Sequence, residues 1–92
     1  MKTKKKIKKI LKNFDFEKVH DVMTHLNWTW YDTDGKVPSI DQLKELAKKL
    51  LYHAAEKEGF YSSATGGFKA TKYENGTLEL EFILASWMIE ED

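Results

Sequence analysis

The sequence predicts an α+β fold: two amphipathic helices packed on one face of a small antiparallel sheet, in the order α-α-β-β, behind a basic N-terminal helical arm. Three observations carry this. Apolar residues recur at helical spacing over residues 16–26 and again over 40–55. The period falls to two beyond Gly59, and turn signals at Asp34-Gly35 and Asn75-Gly76 separate the pieces. With 92 residues, 41% apolar and 13% aromatic, the chain is long enough for one domain and too apolar for disorder. It divides into a lysine-rich arm, residues 1–13, and a single α+β domain, residues 14–92.

The arm comes first. MKTKKKIKKILK carries seven lysines and no acid, whereas residues 13–92 hold eight lysines against fifteen acids. The zero net charge thus hides an acidic body behind a basic arm. Ile7, Ile10 and Leu11 stand at i, i+3, i+4, a narrow apolar stripe on a short helix. The expected state lays that stripe on the domain and leaves the lysines in water. The functional alternatives are contact of Lys4, Lys5, Lys6, Lys8 and Lys9 with nucleic-acid phosphates, or an anionic membrane surface. All fifteen cations are lysine, and without arginine's bidentate fork sequence-specific DNA reading is disfavoured. No apolar stretch follows the lysines as a secretion signal requires, and no transmembrane run is present.

The first helix of the body is expected from Phe16 to Leu26, with Asp15 as N-cap and a Phe14–Val19 staple. Residues 27–38 break the period, and Trp28 and Trp30 alternate about Thr29 as in a short extended piece. Ser39-Ile40-Asp41-Gln42 is a capping box that opens the second helix. Gly59 is expected to stop it in a left-handed conformation, with Phe60 folded back on Ala55. Thr77–Leu84 alternates as a strand, joined to Phe68–Tyr73 by a turn. A three-residue loop Glu74-Asn75-Gly76 pairs Phe68 with Phe82 and sets Lys69 opposite Glu81 on the wet face; a two-residue loop would bury Lys69. Residues 60–67 either extend that first strand or form a short one of their own, with Gly66-Gly67 as a bulge or corner. A chain this small buries limited surface, so a homodimer with paired sheet edges is a fitting partner state.

Chemistry finds few footholds. The absence of cysteine excludes disulfides, thiolate metal sites and a cysteine nucleophile. His20 and His25 point away from each other on one helix and no third ligand accompanies either, so no metal and no cofactor is expected. Neither Gly-x-Ser-x-Gly nor HExxH occurs, and the reading is that the chain is not an enzyme. Ser62-Ser63-Ala64-Thr65-Gly66-Gly67 lacks the Gly-Lys ending of a P-loop. Its small residues still suit contact with an anion, a nucleotide or a peptide backbone, through Ser62, Ser63, Thr65, Gly66 and Gly67. Trp28, Trp30, Tyr31 and Trp87 either fill the core or form a recognition surface, and aromatics are the usual anchors of such surfaces.

The order Phe14-Asp15-Phe16-Glu17-Lys18-Val19-His20, Trp28-Thr29-Trp30, Val37-Pro38-Ser39, Leu43-Lys44, Ala47, Leu50-Leu51, Thr65-Gly66-Gly67-Phe68, Leu78-Glu79-Leu80-Glu81-Phe82 and Trp87 resembles a group of small phage and prophage proteins without assigned activity. That resemblance implies an origin in a bacteriophage or integrated element and brings no catalytic residues. The expectation is a non-enzymatic phage accessory protein in the bacterial cytoplasm. It would bind a host protein, for counter-defence or host takeover, through Trp28, Trp30, Tyr31 and Phe68. The competing readings are a nucleic-acid binder led by the lysine arm and a small nucleotide or anion binder at the Thr65-Gly66-Gly67 loop.

Overall fold

The structure, a computed structural model, describes residues 2–83. Its elements are α1 (Lys2–Asn13), α2 (Phe16–Leu26), a single 3-10 turn (Tyr31–Thr33), α3 (Ile40–Ala55), β1 (Tyr61–Thr65), β2 (Phe68–Lys72) and β3 (Leu78–Phe82). The strands form one antiparallel sheet in the order β1-β2-β3, and α3 packs against all three. This is the α+β arrangement that the sequence predicts. Expectations for Leu84, Trp87, Met88 and Ile89 lie outside the described residues.

Each helix follows from local chemistry. Along α1 the lysines turn outward, while Ile7 is only 1% exposed and sits in the same core as Met23, Leu43 and Leu51. Ile10 and Leu11 pack against that core, and α1 rests on α3 and β3. At the start of α2 the Asp15 carboxylate accepts from the Lys18 N–H at 3.1 Å, satisfying one orphan donor of the first turn. In α3 the capping box is closed in both directions: Gln42 N–H to Ser39 Oγ at 3.2 Å, and Ser39 N–H to Gln42 Oε1 at 2.8 Å.

Of the two helix ends, that of α2 falls at Leu26 as expected, and that of α3 differs from the sequence expectation. At the end of α2, Asn27 takes the left-handed conformation (φ 55°, ψ 44°). The Trp28 N–H then reaches back to the Met23 carbonyl at 2.9 Å and the Asn27 N–H to Thr24 at 3.2 Å, a full Schellman ending. At α3, Gly59 takes the expected left-handed conformation (φ 68°) but lies beyond the helix and does not cap it. The helix ends at Ala55, with the Glu56 N–H bonded to the Tyr52 and His53 carbonyls and the Lys57 N–H to Ala54. Beyond the helix, Lys57 meets the sheet. Lys72 Nζ takes the Lys57 carbonyl, and the Lys57 ammonium stands 5.2 Å over the Tyr61 ring. Phe60 stays 59% exposed, its ring 6.1 Å from Tyr73 instead of on Ala55.

Residues 61–65 form a strand of their own. Gly66-Gly67 is neither bulge nor corner but a two-residue hairpin turn, positive φ at both positions (61° and 96°), as a type I′ turn requires. The second hairpin has the three-residue loop. Phe68 pairs with Phe82, Lys69 with Glu81 and Ala70 with Leu80, and the Gly76 N–H bonds the Tyr73 carbonyl at 2.9 Å. Phe68, Ala70 and Leu80 therefore face the helices, and Lys69, Thr71, Glu79 and Glu81 face the other way.

Candidate functional site

The segment after α2 is fixed by its own hydrogen bonds. Trp30 is extended (φ −102°, ψ 162°) and begins the 3-10 turn. Its N–H donates to Thr33 Oγ1 at 3.0 Å, and the Thr33 hydroxyl donates back to the Trp30 carbonyl at 2.9 Å. Thr33 is buried, so this reciprocal pair is sheltered from water and holds the turn shape. Asp34 and Gly35, both at positive φ, then return the chain toward Pro38 and α3.

The loop is tied to the first hairpin across 36 residues of sequence. Trp30 Nε1 donates to the Gly66 carbonyl at 3.0 Å. A Cβ on Gly66 would meet the Leu46 side chain at 2.4 Å and the Trp30 indole at 3.2 Å; a Cβ on Gly67 would lie 3.0 Å from Phe82 and 3.2 Å from Trp28. The two glycines are thus needed both for their positive φ and for close approach of the indoles. Two stretches singled out separately in the sequence, the aromatic loop and the Thr-Gly-Gly segment, meet at one place.

Where they meet is a groove of about 500 Å³. One wall is Thr29, Trp30, Tyr31 and Asp32; the other is Thr65 and Gly66; Leu46 and Lys49 of α3 complete it. The surfaces offered are an indole, a leucine, a hydroxyl, one carboxylate and one ammonium, a mixture suited to a polypeptide surface. Tyr31 is fully exposed at the rim, an unusual place for a large aromatic side chain.

The remaining candidates distribute differently. Phe68, expected to contact a partner, is 0% exposed and is the hub of the aromatic core, with ring centroids 5.9 Å from Phe14, 6.0 Å from Phe16 and 5.9 Å from Phe82. A residue at the end of the central strand, facing the helices, has nowhere to present itself. Trp28 is half-buried on Phe82, with ring centroids 5.6 Å apart. The hydroxyls expected to converge on an anion do not. Ser62 points to the open sheet face, its Oγ 3.4 Å from Thr71 Oγ1, while Ser63 and Thr65 share the opposite face. Lys4, Lys5, Lys6, Lys8 and Lys9 are all exposed on α1, and Lys6 Nζ reaches the Gly76 carbonyl at 3.3 Å.

His53 is exposed, and its Nε2 stands 3.0 Å from the Tyr61 hydroxyl. Among the described residues no three His, Cys, Asp or Glu side chains gather as a metal site would need. A second hollow of about 350 Å³, lined by Phe14, Lys18, Val19, Val22 and Phe82, is almost wholly apolar.

Sequence reasoning missed Leu46 and Lys49. Leu46 sits in the helical apolar period and reads as core, and Lys49 reads as a solvated charge; only the tertiary meeting with Trp30 and Gly66 shows their place. No protein-family model, curated protein or solved structure matches this chain. No helix among the described residues is long and apolar enough to cross a membrane.

Proposed function

We propose that this chain is a small bacteriophage accessory protein, without catalytic activity of its own, that acts in the bacterial cytoplasm by binding a host protein through the groove beside Tyr31. The observation that carries the reading is the fully exposed Tyr31 ring, standing on a hydrogen-bonded loop at the rim of a formed groove. Aromatic anchors on a rigid base are what protein interfaces use, because little conformational entropy is lost when they are covered. Trp30 and Trp28 act beneath it: both pack on the Gly66-Gly67 turn, and Trp30 forms part of the groove wall. The resemblance to small phage proteins supports the origin, and a stoichiometric binder is a role that such a compact fold fills.

The test is capture from a bacterial lysate on immobilised protein, with bound proteins identified by mass spectrometry and rebound in purified form. Tyr31→Ala is expected to lose the captured protein by at least tenfold in affinity while keeping the wild-type thermal midpoint, since an exposed side chain contributes little to folding. Equal binding of one purified partner by wild type and Tyr31→Ala would contradict the reading, as would no specific capture at all.

A further inference from the structure

We propose that the outer face of α1 is a sequence-independent docking surface for the phosphate backbone of double-stranded nucleic acid. This goes beyond the groove reading and does not depend on it: the groove borders β1 and the 3-10 turn, whereas α1 packs beside β3.

The charge is concentrated and oriented. Lys4, Lys8 and Lys12 stand at i, i+4, i+8 on one row of the helix, and Lys5 and Lys9 form the next row. At about 100° per residue these five cover the arc from about 60° to about 200° around the axis from the buried Ile7, along a 12-residue helix of about 18 Å. Lys2 and Lys6 border the patch, and Lys6 is drawn aside toward the Gly76 carbonyl. With Ile7 buried and Ile10 and Leu11 packed on the core, the lysines sit on a helix held by the fold, not on a loose tail.

The same lysines work against their own helix. Four like-charged pairs stand at i, i+4 (2 and 6, 4 and 8, 5 and 9, 8 and 12), each repulsive, and the first turn has lysines and no acid where the helix dipole favours negative charge. Folding alone would be better served by mixed charges. A local rule broken this consistently marks a face selected for something else, and a polyanion would relieve every one of these repulsions.

The remainder of the molecule sharpens the choice of ligand. Residues 13–92 hold eight lysines against fifteen acids, so α1 is the most basic stretch of the chain and the one best matched to a polyanion. A lipid surface is the weaker match, because an interfacial helix inserts its apolar stripe and here that stripe is already occupied by the protein core. The absence of arginine fits contact with phosphates and no base reading.

The experiment is fluorescence anisotropy of a labelled 25-bp duplex DNA titrated with the full chain between 50 and 200 mM NaCl. Four to five phosphate contacts give a log–log salt slope of about −4, an affinity loss of about 150- to 500-fold over that range. The variant Lys4→Gln, Lys5→Gln, Lys8→Gln, Lys9→Gln, Lys12→Gln, checked for native circular dichroism, is expected to lose measurable binding at 50 mM salt. The same five positions changed to Arg are expected to keep it. No binding by the wild type, salt-independent binding or undiminished binding by the folded glutamine variant would overturn the proposal. So would binding to phosphatidylserine vesicles with none to the duplex. The Tyr31→Ala variant is expected to bind DNA as the wild type does, so failure here and failure of the groove reading are told apart.

Discussion

Gly66 shows how much a single residue is asked to do. An L side chain there meets both a positive φ and the Leu46 methyl at 2.4 Å. Gly66→Ala is expected to cost about 2–3 kcal/mol, combining left-handed strain with overpacking. Gly76, also at positive φ, has only Lys6 Nζ near, at 3.9 Å, and Gly76→Ala is expected to cost only about 1 kcal/mol. Urea denaturation of both variants checks the order. Equal losses would mean that Leu46 and Trp30 do not crowd the turn. The sequence marks both glycines as turn residues, but it cannot distinguish the crowded one from the open one, because the crowding comes from residues 20 and 36 positions away. Tyr73 carries a second expectation. Its hydroxyl donates to Glu79 Oε1 at 2.7 Å, and that hydrogen bond, then the carboxylate's charge, raises the phenol above its ordinary range. A phenol whose folded pKa is raised adds stability that is whole below the unfolded value of about 10 and fades as pH climbs through the folded value. Absorbance titration of the tyrosinate is expected to show one late-titrating residue that moves earlier in Glu79→Gln.

At the scale of elements, both helix beginnings and the α2 end at Leu26 were legible, and the end of α3 was not. Asp15 and Ser39 cap where their side chains reach the third residue on, a purely local matter. The end of α3 comes at Ala55, four residues before the left-handed Gly59, and local sequence carries no sign of that gap. The Schellman ending belongs to α2 through Asn27, a residue that tolerates the left-handed region less well than glycine and so gives a weaker signal. The hairpin register was legible because a one-residue slip would bury Lys69. For α1, the stripe of three apolar residues reads as a docking face, and the burial of Ile7 gives it energetic content. Ile7→Ala is expected to destabilise the whole domain by about 2–4 kcal/mol in urea denaturation. A helix lying loosely on the surface would instead show almost no loss.

The whole molecule brings together what the sequence offers in pieces. The aromatic loop and the Gly-Gly turn are far apart in the chain, and the groove exists only because the fold sets them on the same side of α3. Phe68 illustrates the opposite outcome. As an aromatic next to a glycine pair it reads as a surface anchor, yet alternation along β2 turns it into the core. Composition could not decide between those fates, since both bury a ring. Charge is divided too, with seven of the fifteen lysines on α1 beside β3, while the Tyr31 groove borders β1 and holds one lysine, Lys49. The groove is proposed as the face that meets a host protein. Its most direct test replaces Tyr31 with the photoactivatable residue p-benzoylphenylalanine in bacterial cells, with the same replacement of Glu79 on the open sheet face as control. The account predicts one dominant crosslinked host protein from position 31 and none from position 79. No adduct from position 31, or the same adducts from both, would contradict it.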